Sequence, residues 1–257
     1  MRRLIKRFID KLPYVRGLRH RINELEAYVR EHHGTIDFIP DRDFRMGVTL
    51  TGLKKRGYVP KVIYDIGAAD GAWARLALEV FPDSSIVCFE PLTERTKSLE
   101  QLVSDSREKV RFFNVGIGDA DTELHLGVTE DLFSSSFAYG STKRAVTVRT
   151  LESLHRTDNL ELPSFVKIDV QGFEGRVING GPSAFAHADM VLMECTFLPF
   201  CADMHTLDQT ISFMSSKGFI PYEFVDFLRR PLDGAMGQCD ILFIKRDHQL
   251  VSCLSWG

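Results

Sequence analysis

The 257-residue chain has no run of about 20 apolar residues, the length that would span a bilayer, and its N-terminus has no uninterrupted apolar stretch of the secretory kind. These absences point to the cytoplasm. Its five cysteines, Cys88, Cys195, Cys201, Cys239 and Cys253, are odd in number, scattered and never in a C-x-x-C pair. They read as reduced packing residues, neither a disulfide frame nor a zinc site. No H-E-x-x-H or similar spacing joins His32, His33, His125, His155, His187 and His205, so the spacing requires no metal. The dinucleotide fingerprint G-x-G-x-x-G is missing, as are internal repeats and low-complexity tracts.

What is present is unevenly distributed. Residues 1 to 22 carry eight basic side chains against Asp10 alone, so this segment is +7 and the remainder −10 within a net charge of −3. Leu4, Ile5, Phe8, Ile9, Leu12, Val15, Leu18, Ile22 and Leu25 recur there at helical spacing, which predicts a basic amphipathic helix interrupted near Pro13. Such a helix suits packing on the domain or on a second subunit of a homo-oligomer. An interfacial position on an anionic membrane, at its inner face, is the second reading. The acidic remainder offers no stripe to follow phosphates, and neither a [DN]-P-P-[YF] segment nor a Pro-Cys pair is found, so no nucleic-acid partner is expected. The chain divides into a helical segment, 1–46, and a main domain, 47–257.

From Gly34 onward strand-like and helix-like stretches alternate, the pattern of a mostly parallel sheet covered on both faces. KVIYDIG, SSIVCFEP, KVRFFNVGIGD, FVKIDV and DMVLMEC read as five strands, with AWARLALEVF and TERTKSLEQLVSD as helices between the first three. GFIPYEFV and CDILFIK close the sheet. The expected fold is α/β and Rossmann-like, with seven strands of which the last is antiparallel. A polar insertion over residues 120 to 150 has strand-like ends, TELHLGV and RAVTVRT, and is expected to form a hairpin or lid.

Ligands of such sheets bind beyond the carboxyl ends of the strands at the topological switch point. The first of those ends is DIGAADG, with Asp65, Gly67, Ala68, Asp70 and Gly71. Its D-x-G-x-x-x-G spacing resembles the first motif of the class I S-adenosylmethionine-dependent methyltransferases. The resemblance implies that this loop holds the methionine part of the cofactor and that Glu90, ending the second strand, takes the ribose hydroxyls. A carboxylate suits a diol because it can accept two hydrogen bonds.

The order RGYVPKVIYDIGAADGAWA, FEP, NVGIGD, SSSF, TLESL, FVKIDVQGFEGRVINGG, VLMECTF, MSSKGFIPYEF and QCDILFIK further resembles the FkbM family, over about residues 47 to 246. Gly175 and Asn179 depart from the residues expected there. The resemblance implies O-methylation of a hydroxyl on a natural product or on a sugar of a glycan, with Asn114 and Gly116 bordering the adenine.

Methyl transfer from a sulfonium requires the acceptor oxygen to be held in line, and requires a group that takes its proton. Asp169, at the end of the fourth strand, is the first candidate for that group and also within reach of the cofactor's amine. Glu194, ending the fifth strand, is the second. Lys167 is expected to pair with Asp169, and Glu174 to complement the N-terminus of its helix. Two other readings compete. Tyr139 and Lys143 spell the Y-x-x-x-K of nicotinamide-dependent dehydrogenases, with Ser134, Ser135 and Ser136 nearby, but Gly140 and the following RAVTV disfavour the helix that chemistry needs. The chain could also be a membrane-tethered binding module without catalysis, against which the intact cofactor loop and Glu90 argue.

Overall fold

Strand β1 (Val62–Ile66) is buried over its whole length, as a central parallel strand must be when helices cover both faces. It pairs in parallel with β2 (Ser85–Phe89) on one side and β7 (Phe165–Ile168) on the other. In the computed structural model these belong to a seven-stranded sheet. β3 (Val110–Phe113) lies outside β2, β8 (Met190–Thr196) outside β7, then β10 (Met236–Lys245) and β9 (Phe219–Arg229). The order is β3-β2-β1-β7-β8-β10-β9, with β10 antiparallel to both of its neighbours. This is the Rossmann-like class I methyltransferase sheet expected from the sequence, its switch point lying between β1 and β7. The structure describes residues 42–129, 132, 135–137, 142–199, 204–230, 232–253 and 255. The basic stretch of residues 1 to 22 and Tyr139 lie outside them.

One face of the sheet is covered by α1 (Arg42–Lys55), α2 (Ala72–Val80) and α3 (Thr93–Asp105). Met46, Leu50 and Leu53, spaced by four and three residues on α1, pack with Ala74, Ala77, Leu99 and Leu102 over Ile63, Phe165, Leu192 and Leu242. The other face carries α4 (Leu151–Asp158), α5 (Glu174–Asn179), α6 (Pro182–His187) and α7 (Leu207–Ser216). There Leu151, Leu154, Val177, Ile178, Phe185 and Met214 cover Tyr64, Val166, Val191 and Phe243. Each fully buried large side chain contributes about 1.5–3 kcal/mol relative to exposure. The boundary expected at 46/47 falls inside α1, and the compact unit containing the sheet runs from Asp41 to Gly257.

The stretch read as one third strand is two. After β3 the chain turns at Asn114, with the Val115 amide donating to the Phe113 carbonyl at 2.9 Å, an i→i+2 bond that ends the strand. It then enters β4 (Gly116–Ile117), which belongs to a separate sheet of order β4-β6-β5. β5 (Thr122–Val128) and β6 (Thr142–Arg149) are the expected antiparallel hairpin of the insertion. Leu126, Val128, Val146 and Val148 give it a small core with Leu92.

The end of α5 meets the turn after β4 at a glycine. A Cβ on Gly180, after α5, would lie 1.8 Å from the Gly118 carbonyl oxygen, a contact with backbone that no rotamer can relieve. Gly180→Ala is therefore expected to destabilise the protein by several kcal/mol, measured as the loss in urea midpoint; an unchanged midpoint would show that the two backbones separate without cost.

Candidate functional site

The site is built outward from Lys167, whose ammonium is buried at the centre of the switch point. Lys167 and Asp65 are register partners across β7 and β1, and Nζ lies 3.1 Å from Asp65 Oδ1. It also donates to the Gly67 carbonyl at 2.8 Å and stands 3.9 Å from Asp169 Oδ2. The principal partner of Lys167 is thus Asp65, on the neighbouring strand, and Asp169 is the more distant one. Burial opposes the charge of Lys167, but Asp65 and Asp169 outweigh it and hold its pKa above the ordinary lysine value.

This lysine fixes the loop Asp65–Gly71. Gly67 adopts φ 78°, and a Cβ there would stand 1.9 Å from the Asp169 carbonyl oxygen. Glycine is required because the loop presses against the end of β7. The Gly67 and Ala68 amides donate to the Phe89 carbonyl at 2.9 and 3.1 Å, which docks the loop on β2. Asp70 Oδ1 accepts from the Ala72 amide at 3.1 Å and starts α2, while Gly71, at φ 81°, packs on Leu99 and Leu102.

Glu90 closes this side. It is 6% exposed; Oε2 accepts from the Ala69 amide at 3.0 Å and Oε1 from the Leu92 amide at 2.9 Å. Ala69 itself is held at φ 48°, a left-handed conformation unusual for a residue with a Cβ. Asn114 Nδ2 donates to the Glu90 carbonyl at 2.8 Å, which places it beside the second-strand acid. Gly116 lies one step further on, buried in β4 against Phe137 and Val148.

On the other side of Lys167 a row of carboxylates crosses the sheet. Asp240 is opposite Glu194 across β10 and β8, and Asp226 is opposite Asp240 across β9 and β10. Like charges in directly opposed positions are destabilising unless neutralised. The neutralising groups come from α1, and sequence reading missed them. Arg42 Nη2 donates to Asp169 Oδ2 and to Asp240 Oδ1, both at 3.0 Å, and its Nε donates to Asp240 Oδ2 at 3.1 Å. Arg45 pairs with Asp226. Burial alone would raise Asp169, but Lys167 and Arg42 together hold its carboxyl below the usual range.

Gln171 joins the two expected catalytic carboxylates. Its Nε2 donates to Asp169 Oδ1 at 2.9 Å and to Glu194 Oε1 at 3.2 Å, and Gln238 Nε2 donates to the same Glu194 oxygen at 2.5 Å. Burial, then the charges of Asp169 and Asp240, raise Glu194 well above the ordinary range. Gln171 sits at φ 54°, and its carbonyl accepts from Ser136 Oγ at 2.6 Å, so the hairpin is tied to this loop. Backbone held in a sparsely populated region concentrates at functional sites.

Beside the ends of β7 and β8 opens a cavity of about 350 Å³. Phe137, Phe173, Phe213, Thr196 and Glu174 are among the residues that line it. Glu174 Oε1 accepts from the Gly172 amide at 3.0 Å, so it clamps the loop before its own short helix. The dehydrogenase spacing is not realised, because Lys143 lies in strand β6. Among the described residues no cluster of three or more His, Cys, Asp or Glu could hold a metal, and no helix is long and apolar enough to cross a membrane.

The profile described as "Methyltransferase FkbM domain" matches residues 65–221. The chain belongs to the FkbM methyltransferase family. No curated protein matches it. Among solved structures it is similar to precorrin-6y C5,15-methyltransferase from Geobacter metallireducens, at 15% identity over 82% of this chain and 92% of that one, with TM-score 0.46. It is similar also to magnesium protoporphyrin IX methyltransferase from Synechocystis PCC 6803 with bound SAM (10% identity, 82% and 86% covered, TM-score 0.45). A third is an O-methyltransferase family protein from Burkholderia thailandensis (9% identity, 79% and 56% covered, TM-score 0.45).

The cofactor of this methyltransferase is S-adenosylmethionine, and the switch point fits it. Each Glu90 oxygen holds one backbone amide and keeps a lone pair for a hydroxyl. Asp65, fully buried, is paired with the Lys167 ammonium 3.1 Å from its Oδ1, and among the described residues no donor reaches its Oδ2. A buried acid so placed accepts a further donor at no desolvation cost.

Removing the central cation tests this construction. Lys167→Met leaves Asp65 buried without its counter-charge and is expected to cost about 3–5 kcal/mol in urea unfolding. Adding Asp65→Asn should recover a large part of that loss. If the two losses instead simply add, the pair is not the unit that holds the switch point.

Proposed function

We propose that this protein transfers a methyl group from S-adenosylmethionine to a hydroxyl of a sugar, a glycan or a natural-product acceptor. The observation that carries the reading is the cavity beside the ends of β7 and β8. Three phenylalanines offer faces for a ring, and Thr196, Thr210 and Glu174 offer hydrogen-bonding groups for its hydroxyls.

Asp65, Gly67, Ala68, Asp70, Gly71, Glu90, Asn114 and Gly116 are the proposed cofactor-holding residues on one side, with Asp169 completing the set. When bound, S-adenosylmethionine supplies a methyl carbon made electrophilic by its sulfonium. Asp169, kept ionised by Lys167 and Arg42, provides a fixed negative charge beside a cationic ligand. Glu194, tied to it through Gln171, forms part of the cavity wall and, with Asp169, makes up the catalytic pair in this reading. The orientation of acceptor and cofactor is the larger share of the task, since holding reactants in line removes the entropic part of the barrier.

For residues 1 to 22 we propose peripheral attachment to an anionic membrane at its cytoplasmic face, supported by their +7 charge and helical apolar spacing. This would bring the enzyme to lipid-linked acceptors.

Calorimetric titration with S-adenosylmethionine should give heat, and Glu90→Gln should weaken that binding by at least about tenfold, one lost charge-assisted pair of hydrogen bonds. Heat with a nicotinamide dinucleotide alone would sink the reading. Incubation with labelled cofactor and a panel of lipid-linked sugars and methyl glycosides identifies the acceptor.

Sedimentation with phosphatidylserine vesicles should carry down the full chain but not a variant lacking residues 1 to 22. Equal sedimentation of both would assign the segment to packing or oligomerisation.

A further inference from the structure

The carboxylates near the cavity differ in what already occupies them. Asp169 is engaged on both oxygens: Oδ1 accepts from Gln171, Oδ2 from Arg42, and Lys167 stands 3.9 Å away. Two cations stabilise its charged form, which makes it a good anchor for a cation and a weak proton acceptor. Glu194 Oε1 accepts from two amide side chains, Gln171 and Gln238.

Glu174 is in a different position. Its Oε1 accepts from the Gly172 amide at 3.0 Å, the amides of Glu174 itself and of Val170 also favour its charged form, and among the described residues no lysine, arginine or histidine forms an ion pair with it. The arginine on its own helix, Arg176, is turned away, with its guanidinium over the Phe173 ring at 5.1 Å and 3.7 Å from Asp119. Asp169 faces it from the end of β7, and Glu194, His205 and His125 share its cavity from β8, the approach to α7, and β5. Glu174 thus lines a cavity large enough for an acceptor, with proton-accepting capacity that no cation among the described residues consumes.

We propose that Glu174 is the group that takes the proton from the acceptor hydroxyl, which makes the cavity it lines the acceptor site. This rests on the methyl-transfer reading above. In the step, the acceptor oxygen gains the methyl carbon and gives its proton to the Glu174 carboxylate, while the electron pair of the breaking carbon–sulfur bond stays on sulfur. The proton leaves to solvent from Glu174 after product release.

The electrostatics agree with the geometry. Burial raises Glu174 to about 7, with the Gly172 amide opposing and the Asp169 charge adding to the rise. A general base works best when its pKa lies near the operating pH. Because the carboxyl is raised, its active, ionised form is lost as pH falls below about 7. Transfer should then rise from pH 6 to pH 8 and level off above.

The test uses the full-length protein and its Glu174→Gln variant, which keeps an oxygen for the Gly172 amide. With labelled S-adenosylmethionine and a panel of methyl glycosides, the variant is expected to lose about 100-fold or more in transfer rate. Its cofactor affinity by calorimetry should stay within threefold, and the rise in rate between pH 6 and pH 8 should disappear. A merely structural role would leave that rise in place. A variant that transfers methyl within a fewfold of the wild type, or keeps the same pH dependence, overturns the assignment. An arm independent of the acceptor is carbon NMR of protein labelled at the glutamate carboxyl carbons, where the resonance missing in Glu174→Gln must titrate near pH 7. If it titrates as an ordinary glutamate the proposal falls, whether or not any glycoside is methylated. If it titrates near 7 while no glycoside is methylated, the sugar acceptor fails and the base stands.

Discussion

The protein is organised around one buried ammonium. Lys167 satisfies the charge of Asp65 on the next strand, the carbonyl of Gly67 in the cofactor loop and, at longer range, Asp169 at the end of its own strand. A lysine inside a sheet is tolerated only if its charge is matched, because desolvating it alone would cost several kcal/mol. Matching it with groups from β1, from the loop and from β7 makes the switch point one electrostatic unit. The position of the cofactor loop then follows from the charge balance of the core. The close contact of Gly67 with the Asp169 carbonyl follows from the same clamp, since the ammonium draws loop and strand end together.

The second organising constraint is the row of acids that runs on from Asp169 through Glu194 and Asp240 to Asp226. A sheet with only its own strands would not carry four carboxylates side by side. Helix α1 makes it possible by laying Arg42 and Arg45 across them. The bidentate contact of Arg42 with Asp240 fixes that guanidinium in direction as well as charge. The helix therefore does two things with one face: Met46, Leu50 and Leu53 seal the apolar layer, and the arginines at its N-terminal end complete the polar one. Asp169 owes its ionised state to this arrangement together with Lys167.

Much of this was legible in the sequence. The parallel strands announced themselves as short apolar runs, and the helices over residues 72–80 and 93–105 by their period. Glu90 and the DIGAADG loop were legible because a ligand-binding acid must stand at a strand end. The hairpin of the insertion was legible from alternation in TELHLGV and RAVTVRT. The break after Phe113 was not, because NVGIG continues the apolar pattern and only the close packing of Gly116 and Gly118 against β6 turns it into another sheet. Lys167 and Asp169 do pair, at 3.9 Å, but their closer partners were missed for a similar reason. Spacing by two suggested that they pair with each other, whereas strand β1 offered Lys167 a closer partner at 3.1 Å and helix α1 offered Asp169 one at 3.0 Å.

The sequence by itself determined the fold, the family and which residues stand at strand ends, because these depend on local periodicity and on motifs whose members are near one another in the chain. The tertiary structure decided which acid meets which cation. Arg42 and Asp169 are 127 residues apart, and Arg42 and Asp240 198. No periodicity connects positions so distant; strand order and the placement of α1 bring them together. Among the described residues the same packing leaves Glu174 without a cation while Asp169 has two. The difference between an anchored charge and a mobile proton was settled by the neighbours that folding supplied to two otherwise similar carboxylates.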